Sequence, residues 1–108
     1  MAAIQNIVID QGSTFSLAFS LTNVDGSAKN LEGYTATSQL RKSYHTNTYT
    51  SFTTTSVDAT GEITIALTAT QTSALKAGRY VYDVEITSST ETLRALEGIV
   101  SVTPEVTR

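Results

Sequence analysis

Hydrophobic and polar residues alternate along most of this chain, as they do in β-strands that bury one face. In 14–22, Phe and Leu occupy every second position, and Ser, Ala and Thr occupy the others. In 80–86, two tyrosines, a valine and an isoleucine alternate with Val, Asp and Glu. The strand 14–22 is predicted to be central in its sheet, and the Thr-rich strand 49–57 to lie at an edge. Seven strands are predicted in all, at 4–9, 14–22, 35–41, 49–57, 63–67, 79–87 and 92–103.

Turns and a short helical segment are predicted between these strands. The pair Asp25–Gly26 supplies the positive φ that a tight turn needs, and Gly78 closes the turn that enters the strand 79–87. The segment 68–75 does not alternate, and Thr68 or Thr70 could cap one or two helical turns there. This piece is too short to be stable alone, so we expect it to lie across the end of a larger structure.

Four residues near the last two strands are predicted to have structural roles. Gly78 followed by Tyr80 at the start of the penultimate strand has the layout of a tyrosine corner, in which the hydroxyl bonds to the main chain just upstream. Tyr82 is the alternative corner residue. The apolar residues of the last strand change parity, which predicts a β-bulge near Glu97 and Gly98.

The spacing of the strands predicts the fold class. Short strands with a turn every eight to twelve residues indicate an all-β fold, an Ig-like antiparallel β-sandwich of about seven strands. One short helical turn precedes the penultimate strand. The length of 108 residues suits a single domain with one core. We expect that domain to span 1–104 and the residues after Pro104, 105–108, to form a C-terminal tail.

Composition excludes several classes of function. The chain has no cysteine, so it forms no disulfide and has no thiolate chemistry. The net charge of −3 comes without a basic stripe, which argues against nucleic-acid binding. The N-terminus lacks the basic and apolar regions of a signal peptide, and no apolar run is long enough to span a membrane.

The residues indicate no catalytic or metal site. His45 is the only histidine, and without cysteine it cannot assemble an ordinary zinc site. Asp83 and Glu85 share a strand face and could act as a carboxylate pair, but cross-strand ion pairs with Arg41, Lys42 or Arg94 are the favoured interpretation. No phosphate loop or nucleophile elbow is present. We therefore expect no enzyme activity, no cofactor and no bound metal.

One loop has the composition of a recognition surface. Tyr44, His45, Asn47 and Tyr49 combine aromatic, amide and imidazole groups within a few residues of one another. Exposed tyrosine is enriched at protein interfaces, and the same combination occurs where proteins bind sugars. These four residues are the candidate interface, with a protein partner or a glycan as the open alternatives.

Several segments of the chain also resemble a known group of proteins. The segments are DQGSTF at 10–15, DG at 25–26, LEGYTA at 31–36, LR at 40–41, 61–67, 75–86, LEG at 96–98 and 102–108. Together they resemble the Ig-like modules of small virion structural proteins of tailed phages, including marine cyanophages. The first half is also similar to the N-terminal domain of upper baseplate proteins, which attaches receptor-binding proteins to the tail.

The resemblance implies a role in a phage particle. It implies a non-enzymatic virion structural protein, most simply an adaptor or accessory subunit of the tail, baseplate or neck. Such a protein is made in the host cytoplasm and contacts other virion proteins in multiple symmetric copies. Upper baseplate proteins continue into long C-terminal regions, whereas this sequence ends at Arg108, which favours an accessory role over receptor presentation. The alternatives are a capsid decoration protein and a module that binds glycans of the host surface.

Overall fold

The fold comes from a computed structural model in which residues 3–23, 25–43, 45–57 and 59–106 are described. Within these ranges the chain forms nine β-strands and one short helix. Residues 107 and 108 of the predicted tail lie outside them. The elements are β1 (Ala3–Ile4), β2 (Ile7–Asp10), β3 (Phe15–Ser20), β4 (Thr35–Arg41), β5 (Thr50–Ser51), β6 (Thr53–Val57), β7 (Glu62–Leu67), α1 (Ala69–Ser73), β8 (Gly78–Thr87) and β9 (Thr92–Thr103).

The strands form two sheets with one core between them, which confirms the predicted all-β sandwich. The larger sheet has six strands in the order β1-β9-β8-β4-β5, with β2 also paired to β9. The smaller sheet has three strands in the order β3-β7-β6. Neighbouring strands are antiparallel except that β1 and β2 both run parallel to β9. Apolar residues of both sheets belong to a single buried cluster.

The predicted edge strand 49–57 is in fact two strands that belong to different sheets. Its first part, β5, pairs with β4 in the larger sheet, and its second part, β6, pairs with β7 in the smaller one. Phe52 lies between them and is only 5% exposed. Its N–H donates to the carbonyl of Ser38 at 2.9 Å, so the crossing residue is held by the larger sheet while its ring enters the core.

The strand predicted to be central is an edge strand. β3 pairs with β7, and no other strand of the described ranges lies beside it. Alternation of apolar and polar residues reports that one face of a strand is buried, but it does not report whether both edges are paired. The prediction of a buried face was right, since Phe15, Leu17 and Phe19 pack against the core.

The irregularity in β9 also differs from the predicted bulge near Glu97 and Gly98. The register between β8 and β9 shifts at Val84 and Glu85, whose partners are Leu96 and Arg94, so Ala95 is the extra residue. Gly98 pairs regularly with Tyr82. It serves another purpose, because a Cβ placed on it would lie 2.2 Å from the carbonyl oxygen of Gln5. The glycine therefore allows the segment between β1 and β2 to approach β9 closely.

The two candidate corner tyrosines hold different parts of the chain. The Tyr80 hydroxyl donates to the carbonyl of Lys76 at 2.8 Å, which is the upstream bond of a tyrosine corner. The Tyr82 hydroxyl donates to the carbonyl of Gln5 at 2.5 Å and so fastens the N-terminal segment to the sheet. Burial raises the pKa of Tyr82 to about 12. Gly78, at the start of β8, has φ of 141°, a conformation that side chains rarely permit.

The short helix caps one end of the sandwich as the sequence predicts. Thr68 accepts from the Gln71 main chain while the Gln71 side chain accepts from Thr68, which forms a capping box. Thr72 is fully buried, and its hydroxyl lies 2.8 Å from the carbonyl of Ser13 and accepts from the N–H of Gly12 at 3.0 Å. Leu75, 6% exposed, fixes the end of the helix in the core.

Candidate functional site

Charged side chains and exposed aliphatic side chains are concentrated on the side of the six-stranded sheet that faces away from the core. We call this side the outer face. The strands β4, β8 and β9 alternate in register, so the residues between their core positions all project to this side. A shallow cavity of about 380 Å³ lies on it. We call this cavity the charged groove, and its polar lining residues include Thr37, Gln39, Arg41, Asp83, Glu85 and Arg94.

Two ion pairs made by Arg94, one with a neighbouring strand and one within β9, organise the charged groove. The Nε of Arg94 lies 3.4 Å from Oδ2 of Asp83, and Nη1 of the same residue lies 3.9 Å from Oε1 of Glu97. Burial raises the pKa of Asp83, and the charge of Glu85 adds to this, while Arg94 opposes it. The geometry agrees with the favoured interpretation of the Asp83 and Glu85 pair, because a cation bridges the strands.

Replacement of Asp83 with asparagine should change how stability depends on pH. The pKa of Asp83 is raised by folding, so the folded state binds this proton more tightly than the unfolded state does. Its contribution to stability is present below the unfolded pKa and is lost as the pH rises through the folded pKa. The melting temperature of Asp83→Asn minus that of the wild type should therefore be higher at pH 7 than at pH 3. The change should stay below about 1 kcal/mol, because solvent screens a partly exposed group.

Thermal unfolding of both proteins at the two pH values measures this effect. The exposed Asp25, whose pKa is lowered by hydrogen bonds from Ser27, provides the control with the opposite sign. Asp25→Asn should lose stability at pH 7 relative to pH 3. If both variants shift in the same direction, the burial of Asp83 does not govern its titration.

Exposed aliphatic side chains continue the outer face towards β1 and β2. Ile4 is 76% exposed, Val8 62% and Ile99 37%. Ile99 pairs directly with Val81, which also lines the charged groove. We call the four residues Ile4, Val8, Val81 and Ile99 the apolar strip. Ile4 is in register with Glu97, so the strip and the ion-paired charges adjoin each other.

The predicted interface loop lies beside the charged groove. Tyr44 falls outside the described residues, whereas His45, Asn47 and Tyr49 are all exposed. The guanidinium of Arg41 lies 4.8 Å from the centroid of the Tyr49 ring. The same side chain donates to the carbonyl of Thr46 at 2.6 Å and to Oε1 of Gln39 at 3.0 Å. Arg41 therefore joins the loop to the outer face.

Across the described ranges, no group of three or more His, Cys, Asp or Glu side chains is arranged to hold a metal ion. In the same ranges, no helix combines the length and apolar character needed to cross a membrane.

Sequence reasoning missed the apolar strip because its members come from both ends of the chain. The sequence predicts one strand over 4–9 and does not distinguish the exposed Ile4 and Val8 from the buried Ile7 and Ile9. In the last strand, Ile99 has the opposite parity to the core residues Val100 and Val102, so it is expected on the other face of the sheet. This was the signal in the sequence that could have identified the strip. The same change of parity predicts a bulge, and it does not by itself mark an exposed apolar position.

The fold defines an all-β protein with an Ig-like sandwich. Among solved structures, the chain is similar to InlP of Listeria monocytogenes, with a TM-score of 0.53 and 17% identity. The similarity covers 94% of this chain but only 28% of InlP, and at this identity it shows the fold alone. No protein-family model matches the chain, and no curated protein matches it.

Proposed function

We propose that this chain is a non-enzymatic structural subunit of a tailed-phage particle. In this proposal it is an adaptor or accessory component of the tail, baseplate or neck. It docks a neighbouring virion protein on the outer face of its six-stranded sheet. The phage assignment rests on the resemblance of its sequence segments to small virion proteins, and the docking role rests on the composition of the outer face.

The observation that supports docking most strongly is the arrangement of apolar and charged groups. Ile4 and Val8 expose 76% and 62% of their surface, which is unfavourable in water. Ile4 is in register with Glu97, one of the two acidic partners of Arg94, and Arg41 extends this polar region to the exposed ring of Tyr49. An apolar strip bordered by polar and aromatic side chains has the composition of a protein–protein interface, in which apolar contacts lie beside polar ones.

The presence of the chain in particles tests the phage assignment. Mass spectrometry of purified, intact particles of the phage that encodes it should detect the chain. Copy number separates the two particle locations: a few to a few dozen copies indicate the tail, baseplate or neck, and hundreds indicate a capsid decoration protein. Absence from intact particles contradicts both.

A pair of matched variants tests the docking face. Val8→Glu places a carboxylate in the apolar strip, and we expect its incorporation into particles to fall at least tenfold. Val57→Glu is the control, since Val57 is 49% exposed on β6 of the smaller sheet, away from the outer face. It should be incorporated like the wild type. Quantitative mass spectrometry after complementation with each variant measures the ratio. Equal incorporation of the two variants rules out this docking face.

Glycan binding by the loop is the competing proposal. The exposed Tyr49 ring supports it, because sugars stack on aromatic faces, but the Arg41 guanidinium already covers one side of this ring. A glycan array with the wild type and Tyr49→Ala decides between them. Specific binding that the substitution abolishes favours a receptor role, and no binding to any glycan removes it.

A further inference from the structure

The unpaired edge of β3 carries an inference that does not depend on the phage assignment. The N–H of Leu21 donates to the carbonyl of Gly61 at 2.9 Å, continuing the ladder between β3 and β7. Main-chain groups of an antiparallel strand point alternately to its two sides. The odd-numbered residues of β3 therefore bond to β7. The N–H and C=O groups of Ser16, Ala18 and Ser20 point to the open side.

Nothing in the sequence of this edge discourages pairing. Natural edge strands are usually protected by charges, prolines, bulges or short length. Residues 14–22 contain no charged residue, no proline and no glycine, and the register of β3 with β7 is regular over six residues. The other edge of this sheet is partly covered, because the Thr54 hydroxyl on β6 donates to the carbonyl of Ala36 at 2.9 Å.

The inward side chains of β3 are less buried than those of the strand beside it. Ile63, Ile65 and Leu67 on β7 are at most 1% exposed. Their register partners Phe19, Leu17 and Phe15 are only half-buried, although they face the same core. The side chains of β3 are more exposed because no strand in the described part of the chain lies on the open side of β3. A further strand there would cover this apolar surface.

The pattern of apolar and hydroxyl residues around β3 reads the same in both directions from Ala18. Residues equally distant from Ala18 are of matching type, and the pairs are Leu17 with Phe19, Ser16 with Ser20, Phe15 with Leu21, and Thr14 with Thr22. An antiparallel strand paired with its own copy about a two-fold axis places such residues opposite each other. The segment is thus complementary to itself.

We propose that two copies of this chain pair through β3, antiparallel and centred on Ala18, so that their two three-stranded sheets become one continuous sheet. The hydrogen-bonded pairs are Ser16–Ser20, Ala18–Ala18 and Ser20–Ser16, which gives about six main-chain bonds between the copies. Leu17 of each copy lies against Phe19 of the other in the closer, non-bonded pair. No like charges oppose each other in the paired segment.

The cavity at the end of β3 fits this arrangement. A space of about 620 Å³ lies beside the end of β3 and is lined by the apolar Leu21, Ile86 and Leu93 together with polar side chains. In the proposed register, Phe15 of the second copy lies opposite Leu21. Its ring is then placed at the mouth of this space, where it would be shielded from water.

Opposite charges at Ala18 test the pairing. Ala18 is exposed, so Ala18→Lys or Ala18→Glu should fold, but each places two like charges directly opposite in the dimer. Sedimentation over a concentration series should show a monomer–dimer equilibrium for the wild type and at least tenfold weaker association for each variant. An equimolar mixture of the two variants should restore the dimer. Thr55→Lys, at an exposed position of β6, is the matched control and should associate like the wild type.

Hydrogen exchange tests the pairing without any substitution. The amides of Ser16, Ala18 and Ser20 should become protected as the wild type is concentrated, and the amides of β6 should not. A wild type that stays monomeric at all concentrations overturns the proposal. A dimer whose β3 amides remain unprotected also overturns it, as does a dimer that Ala18→Lys does not weaken. Failure of the equimolar mixture of Ala18→Lys and Ala18→Glu to form a dimer overturns it as well.

Discussion

Replacement of Phe52 with alanine should lower the free energy of unfolding by about 3–5 kcal/mol, the usual range for a buried phenylalanine. Phe52 is 5% exposed and lies where the chain crosses from one sheet to the other. Its ring centroid is 5.9 Å from that of Phe15 in the smaller sheet and 6.2 Å from that of Tyr82 in the larger one. Truncation removes contacts to both sheets and leaves a cavity between them.

Phe15→Ala is the matched control for this prediction. Phe15 belongs to the same ring cluster but is only half-buried at the open side of β3, so its loss should cost clearly less. Chemical denaturation of the two variants and the wild type gives both values. An equal or larger loss for Phe15→Ala contradicts the role of Phe52 as the residue that joins the sheets.

Gly98→Ala should lower the free energy of unfolding by about 2–3 kcal/mol, because the added methyl overpacks a close main-chain contact. The Cβ would lie 2.2 Å from the carbonyl oxygen of Gln5, which is main chain and cannot rotate away. The same oxygen accepts the Tyr82 hydroxyl, so displacement of Gln5 also breaks that bond. The N-terminal strands should detach from β9 before the rest of the sandwich unfolds.

Gly26→Ala separates this effect from the general cost of replacing a glycine. Gly26 has φ of 89° with no atom within 4 Å of the added Cβ, so strain of the main chain is its only cost. Hydrogen exchange should show loss of protection in β2 for Gly98→Ala and unchanged protection there for Gly26→Ala. If β2 stays protected in Gly98→Ala, the close approach does not hold the N-terminal segment in place.

The strand positions were predictable because side-chain alternation is a local property. The segment 35–41 was predicted with the same bounds as β4, and the core-facing tyrosine, valine and isoleucine of β8 were identified from their parity. A helix cap at Thr68 or Thr70 was predictable for the same reason, since a cap depends on residues a few positions apart, and Thr68 is the residue that caps α1. Local pattern therefore predicts the fold class and most strand positions, although the predicted strands 4–9 and 49–57 are each divided into two.

Pairing between strands was not predictable in the same way, because it depends on contacts between distant residues. The Thr-rich segment around Phe52 has no alternation that marks where it leaves one sheet for the other. The bulge at Ala95 depends on the register with β8, and Gly98 is explained by Gln5, which is distant in sequence. The strand β3 has a clear buried face, but its sequence does not show that one edge is open.

The candidate site was predictable only in part for the same reason. The loop residues His45, Asn47 and Tyr49 are exposed as a recognition surface requires. Their connection to the charged groove through Arg41 depends on the folded arrangement of β4 and the loop. The apolar strip combines residues from β1, β2, β8 and β9, so it exists as a surface only after folding.

The two proposed interfaces lie on different sheets and are compatible with each other. Pairing through β3 uses an edge of the smaller sheet, while docking uses the outer face of the larger sheet. A dimer formed through β3 would therefore present two outer faces to neighbouring subunits. Such a two-fold unit suits an adaptor that joins symmetric copies of another protein.

An electron-microscopy map of the intact phage particle would test the proposed virion role and the docking face together. We expect density for this sandwich in symmetric copies at the tail, baseplate or neck, with Val8 and Ile99 of the apolar strip buried against a neighbouring subunit. Density for the domain in which the outer face is open to solvent contradicts the docking role. A particle without the domain contradicts the assignment as a virion protein.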